Sequence, residues 1–534
     1  MWDSLYVVFW ATLLRRIVTV AAAVAMIVAA VLLWPGPKAP ESCAPGVEKS
    51  AGECIGANGS GYDFGTREIT AVARAIAAEN EKFVGDKPHV TVAMVLPLHP
   101  QLEAERKQLR SEIQGAYLAQ YRANRSEQVP LLRLVLANPG TDYRQQAKVV
   151  DQLADMAHDK RDNLRAVTGF NLSLKETKAA VAHLTKDLGI PVLASRISGD
   201  EPANPEPGAD RQPYPGLARI NSTNSDQAAA LADFHGGLKD AETVLVKDTR
   251  PGDIYNASLA RAFSHKEAGP PGPKDQPFRS PSLTELGATG NDFAQISLNI
   301  CDSDAHYVYF AGRPVHLRLF ALKLADTPCH GKKYTIVSGS GSATLDRYMK
   351  DSDWETLRGG PGASAPLVKV QYTAPGHPQA WDKALRDWDR EHPDPASRPE
   401  YLTEPRKELA ALRRLIGSGT AGDIGPVRLD DSRTMLVHDG VKTIAAAVFL
   451  ARPGTEGAVP SLRRITAEWP RLESRHHVTG ASGWICLTNA GNAYDKPVSV
   501  VELDPKTRRV DFVGIGWPTG RPQPKDCVVP SGDG

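Results

Sequence analysis

VTVAMVLPL (residues 90–98), LLRLVLA (131–137), RAVTG (165–169) and IPVLA (190–194) decide the fold. Each is a short, nearly continuous apolar run. Strands buried on both faces read this way, whereas a half-solvated strand alternates apolar and polar residues. Helical patterns fill the gaps at 101–124, 142–158 and 173–188. Short β-rich runs alternating with helical stretches predict βαβ units, a parallel sheet and right-handed crossovers.

The same grammar resumes after a loop-rich segment at 199–216. It gives a helix at 225–236, TVLVK (243–247), a helix at 256–264, a Pro-rich insertion at 266–285 and a helix at 292–300. YVYFA (307–311), a helix at 317–325 and YTIVS (334–338) come next. Strands at 367–372 and 498–503 and a helix at 437–451 complete the pattern. The apolar core of that last helix is too short to span a bilayer. The fold class expected is therefore α/β, with two Rossmann-like lobes on parallel central sheets and a cleft between them. In open parallel sheets, ligands bind beyond the carboxyl ends of the strands.

Composition agrees. A chain of 534 residues, 41% hydrophobic and 23% charged, exceeds one ordinary domain and is not disordered. Its 63 Lys+Arg against 62 Asp+Glu lack the basic excess of a nucleic-acid-coating protein. No internal repeat of fixed period is present.

The N-terminus reads differently. IVTVAAAVAMIVAAVLLW (17–34) has no charge and comes directly after Arg15 and Arg16. A run of that length is about the minimum for a bilayer core of roughly 30 Å. The positive-inside rule keeps residues 1–16 in the cytoplasm and exports the chain beyond Trp34. No A-x-A cleavage site ends the run, so an uncleaved anchor is expected, with a cleaved signal peptide as the alternative. The localisation expected is the cell membrane, single-pass, with the C-terminal domain extracytoplasmic. Residues 35–87 read as a stalk with a small disulfide loop and one helix, and 521–534 as a tail.

All six cysteines lie in the exported part, which fits an oxidising compartment. They occur as Cys43/Cys54, Cys301/Cys329 and Cys486/Cys527. Six cysteines permit about 15 connectivities; sequential pairing is expected, because each pair lies within one apparent module. Zinc is the rival reading, disfavoured because no C-x2-C spacing occurs. No metal site and no cofactor are expected. Asp302-Ser303-Asp304 lacks the rest of a calcium loop, and His476-His477 lacks neighbouring ligands. No G-x-S-x-G elbow and no nucleophile–base set points to an enzyme.

Several segments together resemble the type I periplasmic binding proteins, in the branch that binds leucine, isoleucine, valine and related amino acids. These are GFNLSL (169–174) before GIPVLAS (189–195), RINSTNSDQ (219–227), VKD (246–248) before DIY (253–255), DAHYVYFAG (304–312), HDG (438–440) and TGASGWI (479–485). The resemblance covers about residues 88–520. It implies two lobes joined by three crossovers, and closure on a small polar, amino-acid-like ligand for an ABC-type transporter permease. A ligand sensor or protein-interaction module on the same fold is the alternative. The site residues it implies are Ser173 and Ser195 with Ser198 as hydroxyl donors, and Tyr255 as an aromatic lid. Position just after a strand adds Arg313 as a partner for an anionic ligand and Ser340 in the polar SGSGS loop lining the cleft. Ser173 also reads as a plain helix N-cap with Glu176 completing a capping box. Two loops depart from the family pattern: Pro97-Leu98-His99-Pro100-Gln101 and Asn138-Pro139-Gly140.

Overall fold

A computed structural model describes residues 10, 12–33, 41–126, 130–205, 213–236, 242–264, 275–329, 331–359, 366–455 and 458–530. The expected cytoplasmic segment 1–16 therefore lies mostly outside the described residues. So do residues 206–212 and 265–274 of the two insertions and 531–534 of the tail.

In chain order the strands are β1 (Ser42–Ala44), β2 (Val47–Ser50), β3 (Glu53–Asn58), β4 (His89–Val95), β5 (Leu131–Asn138), β6 (Leu164–Gly169), β7 (Val192–Ala194), β8 (Leu217–Arg219), β9 (Thr243–Asp248), β10 (Gln276–Phe278), β11 (Tyr307–Ala311), β12 (Tyr334–Ser338), β13 (Val368–Ala374), β14 (Val478–Gly480), β15 (Gly483–Ile485), β16 (Val498–Asp504) and β17 (Arg509–Gly516). The first lobe carries the sheet β1-β2-β3-β5-β4-β6-β7-β8, and the second β10-β9-β11-β12-β13-β16-β17. Within each, the five strands beginning at β5 or β10 run parallel. Both share the same doubly wound order, 2-1-3-4-5. The strand order reverses beside β4 in one lobe and β9 in the other, and crevices open at such switch points.

The apolar runs are continuous because both faces are covered. Along β4, Val90, Val92 and Met94 join one core cluster, while Ala93 and Val95 join the cluster on the opposite face. This is the period-2 geometry of a strand with no solvent side.

Three crossings join the lobes. The chain leaves β8 for the helix Asn224–Phe234, returns after β13 to the first lobe, and leaves again after β15 for β16. The helix Arg433–Ala451 is long and apolar enough to cross a membrane, but most of it is buried. It packs along the helix Glu103–Ala123 in the core of the first lobe.

The structure corrects two sequence expectations. Residues 42–58 are not stalk. They form two hairpins that extend the first sheet, with β3 antiparallel to β5. Ala51 and Gly52 both take positive φ, which a two-residue hairpin turn requires. The helix Thr70–Ala78 buries Val72, Ala73 and Ile76 in the same core. Nor does the chain beyond 520 leave the domain: Gln523 and Cys527 are buried, and Cys527 is bonded to Cys486. Cys43–Cys54 and Cys301–Cys329 are the other disulfides. Apart from the lobes, the helix Leu13–Leu33 exposes Ile17, Val24 and Ile27 by more than half.

Candidate functional site

A cavity of about 370 Å³ lies between the lobes at both switch points. Its walls come from the loops beyond the strand ends. After β4 they are Pro97, His99 and Gln101; after β5, Thr141 and Asp142; after β6, Asn171 and Leu172; after β7, Arg196. The second lobe supplies Leu283, Thr284 and Glu285, then Arg313, Pro314 and Val315 after β11. Arg433, at the start of the helix Arg433–Ala451 in the first lobe, forms part of the lining too. Among the lining residues Asp142 takes positive φ, and so do Tyr143, Phe170 and Ser432, each next in the chain to a lining residue. Each such residue costs of order 1–3 kcal/mol, and strained backbone of this kind gathers at functional sites.

Of the residues named from sequence, Arg313 alone lines this cavity. Its guanidinium grips Asp253 with two hydrogen bonds, Nε to Oδ2 at 2.9 Å and Nη2 to Oδ1 at 2.7 Å. Burial pushes the Asp253 carboxyl up, but Arg313 and Arg250 more than offset it, so its pKa falls below the ordinary value. The Tyr255 ring lies 4.9 Å from the Arg313 guanidinium, and its hydroxyl accepts the Gly341 N–H at 3.0 Å. Burial raises that phenol to about 12.

The serines lie elsewhere. Ser173 is buried in the seam where the lobes touch. Its carbonyl accepts the Tyr255 N–H at 3.1 Å, and its hydroxyl accepts the Gly199 N–H at 3.2 Å. The next residue, Leu174, is the N-cap of Lys175–Ala182, so the capping box does not form. Ser195 is fully buried against Gly440, with its Oγ lacking a hydrogen-bond partner. Ser198 is buried and accepts the Asn224 N–H through its carbonyl at 2.7 Å. Ser340 donates its N–H to Gln227 Oε1 at 2.8 Å. Ser173, Tyr255 and Arg313 thus meet at the seam around Asp253. Ser195, Ser198 and Ser340 are buried supports of the loops.

The charged floor of the cavity was not named from sequence. Glu112, fully buried on the helix Glu103–Ala123, accepts Arg433 Nη1 at 2.7 Å and Asn171 Nδ2 at 3.1 Å. Arg196 approaches the same carboxylate at 3.5 Å. Burial and the neighbouring Arg433 lower the Arg196 pKa to about 9. Two acids face the cavity as well. Burial, and then Asp142, push the Glu105 carboxyl up to about 7. Burial also raises Asp142, although Arg144 opposes this. Sequence signals for this floor existed: Arg196 sits between the two serines chosen after β7, and Glu105 and Asp142 come just after the two loops that depart from the family pattern.

The sign of the Glu105 contribution is fixed by its raised pKa. The folded state holds the proton between the usual glutamate value and about 7, so this stability is present at low pH and is lost as pH rises through 7. We predict that Glu105→Gln flattens the pH dependence of melting between pH 5 and 8, with its largest stabilisation above about pH 7. A series of thermal melts across that range measures it.

No family model matches the chain, and no curated protein matches it. Solved structures do. A leucine-binding protein from Thermotoga maritima is 18% identical, with 80% of this chain and 98% of that chain covered and a TM-score of 0.51. A branched-chain amino acid transporter substrate-binding protein from Streptococcus pneumoniae, in complex with isoleucine, is 13% identical, with 80% and 99% covered and a TM-score of 0.54. A solute-binding protein of an ABC transporter from R. palustris, in complex with benzoate, is 12% identical, with 80% and 97% covered and a TM-score of 0.50. The fold is that of the type I periplasmic binding proteins.

Proposed function

We propose that this chain is an extracytoplasmic solute-binding protein that closes its two lobes on a small polar solute and presents it to an ABC-type transporter. The observation that carries the reading is the cavity of about 370 Å³ at the carboxyl ends of both parallel sheets, walled by both lobes. A site shared between two lobes couples occupancy to closure, because bound solute favours the state in which both walls touch it. Amino acids and organic acids set the size and polarity class, since those are the ligands named for the structural neighbours.

The exposed apolar helix Leu13–Leu33 supports a bilayer anchor. At 1.5 Å per residue its 21 residues extend about 32 Å, close to the hydrocarbon thickness. Anchoring would hold the lobes near a permease in the same membrane and raise its effective concentration. Removing residues 1–40 is expected to move the protein from the membrane fraction to the soluble fraction.

A thermal-shift screen of amino acids, their amides, aromatic acids and small sugars on the full chain in detergent tests the reading. A solute at about 100 times its Kd adds about 2.7 kcal/mol of stability and raises Tm. Thr284→Trp places an indole on the cavity wall and is expected to weaken that solute by at least about tenfold, or 1.4 kcal/mol. A solute whose shift ignores Thr284→Trp binds elsewhere and removes the support for this site.

A further inference from the structure

Arg196 is the least satisfied charge in the cavity. Its side chain is only 4% exposed, it lines the cavity, and neither Nε nor Nη1 makes a hydrogen bond. Its contact with Glu112, at 3.5 Å, is an ion pair without a hydrogen bond. The better bonds of Glu112 go to Arg433 and Asn171. Two guanidiniums therefore share one carboxylate, and Arg433 Nε is also unpartnered. A buried cation with unmet donors is costly, and fixed guanidinium forks match planar oxyanions. The other buried acids nearby have partners of their own: Asp253 is held by Arg313 and Arg250, and Asp431 by Arg347 and the Arg433 N–H.

We infer that Arg196 and Arg433 form an oxyanion subsite, which takes a carboxylate of the solute in the cavity floor. This rests on the solute-binding reading of the cavity and assigns the acid-binding role to arginines after β7 and at the start of the helix Arg433–Ala451, in place of the serines. The carboxylate fits an amino acid or a simple organic acid. In the first case Glu105 and Asp142 face the cavity as acceptors for its ammonium.

The test uses isoleucine and benzoate, each beside its amide, isoleucinamide and benzamide, titrated into the full chain by calorimetry. The expected result is that at least one acid binds and its amide binds at least 100-fold more weakly. Arg196→Gln should abolish that acid–amide discrimination, and Arg196→Lys should restore part of it, since a point charge replaces part of a fork. A merely structural arginine would weaken acid and amide alike and leave their ratio unchanged. Isoleucine binding without benzoate identifies an amino acid, and benzoate binding without isoleucine a simple acid; either supports the subsite. Amides that bind as well as acids, or a ratio untouched by Arg196→Gln, overturn the subsite and leave solute binding standing. Failure of all four probes, together with a solute screen that yields no binder, overturns both.

Discussion

Asp439→Asn is expected to destabilise the protein by about 3–5 kcal/mol, the cost of leaving buried donors and a nearby buried lysine without their carboxylate. Asp439 is fully buried on the helix Arg433–Ala451. Its Oδ1 accepts the Ala481 N–H at 2.9 Å and meets His438 Nδ1 at 3.0 Å. Its Oδ2 accepts the Ser482 N–H at 2.7 Å and the Ser482 hydroxyl at 2.6 Å. An asparagine must point its NH2 at one of these donors, whichever way it turns. Lys496, buried and hydrogen-bonded at 3.1 Å to both the carbonyl and the hydroxyl of Ser482, would lose its nearby countercharge. Burial, only partly opposed by Asp439, already lowers that lysine to about 8.

The three crossings converge on this network. Ser222 of the first donates to the Lys496 carbonyl at 3.0 Å, a Cβ on Gly376 of the second would press on Ser482, and Lys496 belongs to the third. The loss should therefore appear in the lobe junction as well as in global stability. Burial pushes the Asp439 carboxyl up, but His438, Lys496 and Ser482 more than offset it, so its pKa falls. Its contribution is present above the usual aspartate range and is lost as pH falls through the lowered value. Urea melts of the wild type and variant at pH 7 and at about pH 2.5, below the ordinary aspartate value, measure both effects; a variant as stable as the wild type at pH 7 contradicts the assignment.

The second large effect is expected at Gly115. A Cβ built there would push into the Thr434 carbonyl oxygen and lie 3.0 Å from the His438 nitrogen, both backbone atoms of the facing helix. Neither can rotate aside. Alanine gains about 0.5–1 kcal/mol of intrinsic helix propensity over glycine, but overpacking of this kind costs typically about 1–3 kcal/mol. The net expectation for Gly115→Ala is a loss of up to about 2.5 kcal/mol, combining those two ranges. It also displaces the first turn of the helix that carries Arg433, so ligand affinity should fall with stability. Gly417→Ala is the control. Nothing lies within 4 Å of its Cβ, and it sits in the helix Glu400–Ser418, so it should be neutral or stabilising.

These two sites show how unevenly the molecule was legible in its sequence. The parallel strands were readable because burial on both faces makes them continuous apolar runs, and β11 and β12 fall on the residues expected. β1 to β3 were not, because short strands broken by Pro45-Gly46 and Ala51-Gly52 look like a loop. The helices Ala380–Glu391 and Glu400–Ser418 were missed because their charged faces dilute the apolar pattern. The candidate site was legible by location only. A resemblance can point to loop positions such as Ser173 or Arg313, but pairing between distant segments decides which side chain faces the cavity. Asp253 occupies Arg313, Gly199 occupies the Ser173 hydroxyl, and Arg196 is left over. No local pattern encodes those partnerships.

A single solute that bridges both lobes at the interlobe cavity must order both walls at once. Hydrogen exchange of the full chain, with and without the tightest solute from the screen, tests this most directly. Slower exchange is predicted together in the loops and helix starts at 97–109, 141–144 and 171–172 of the first lobe and at 282–285 and 313–315 of the second. Protection confined to one lobe, or located away from these loops, would contradict it.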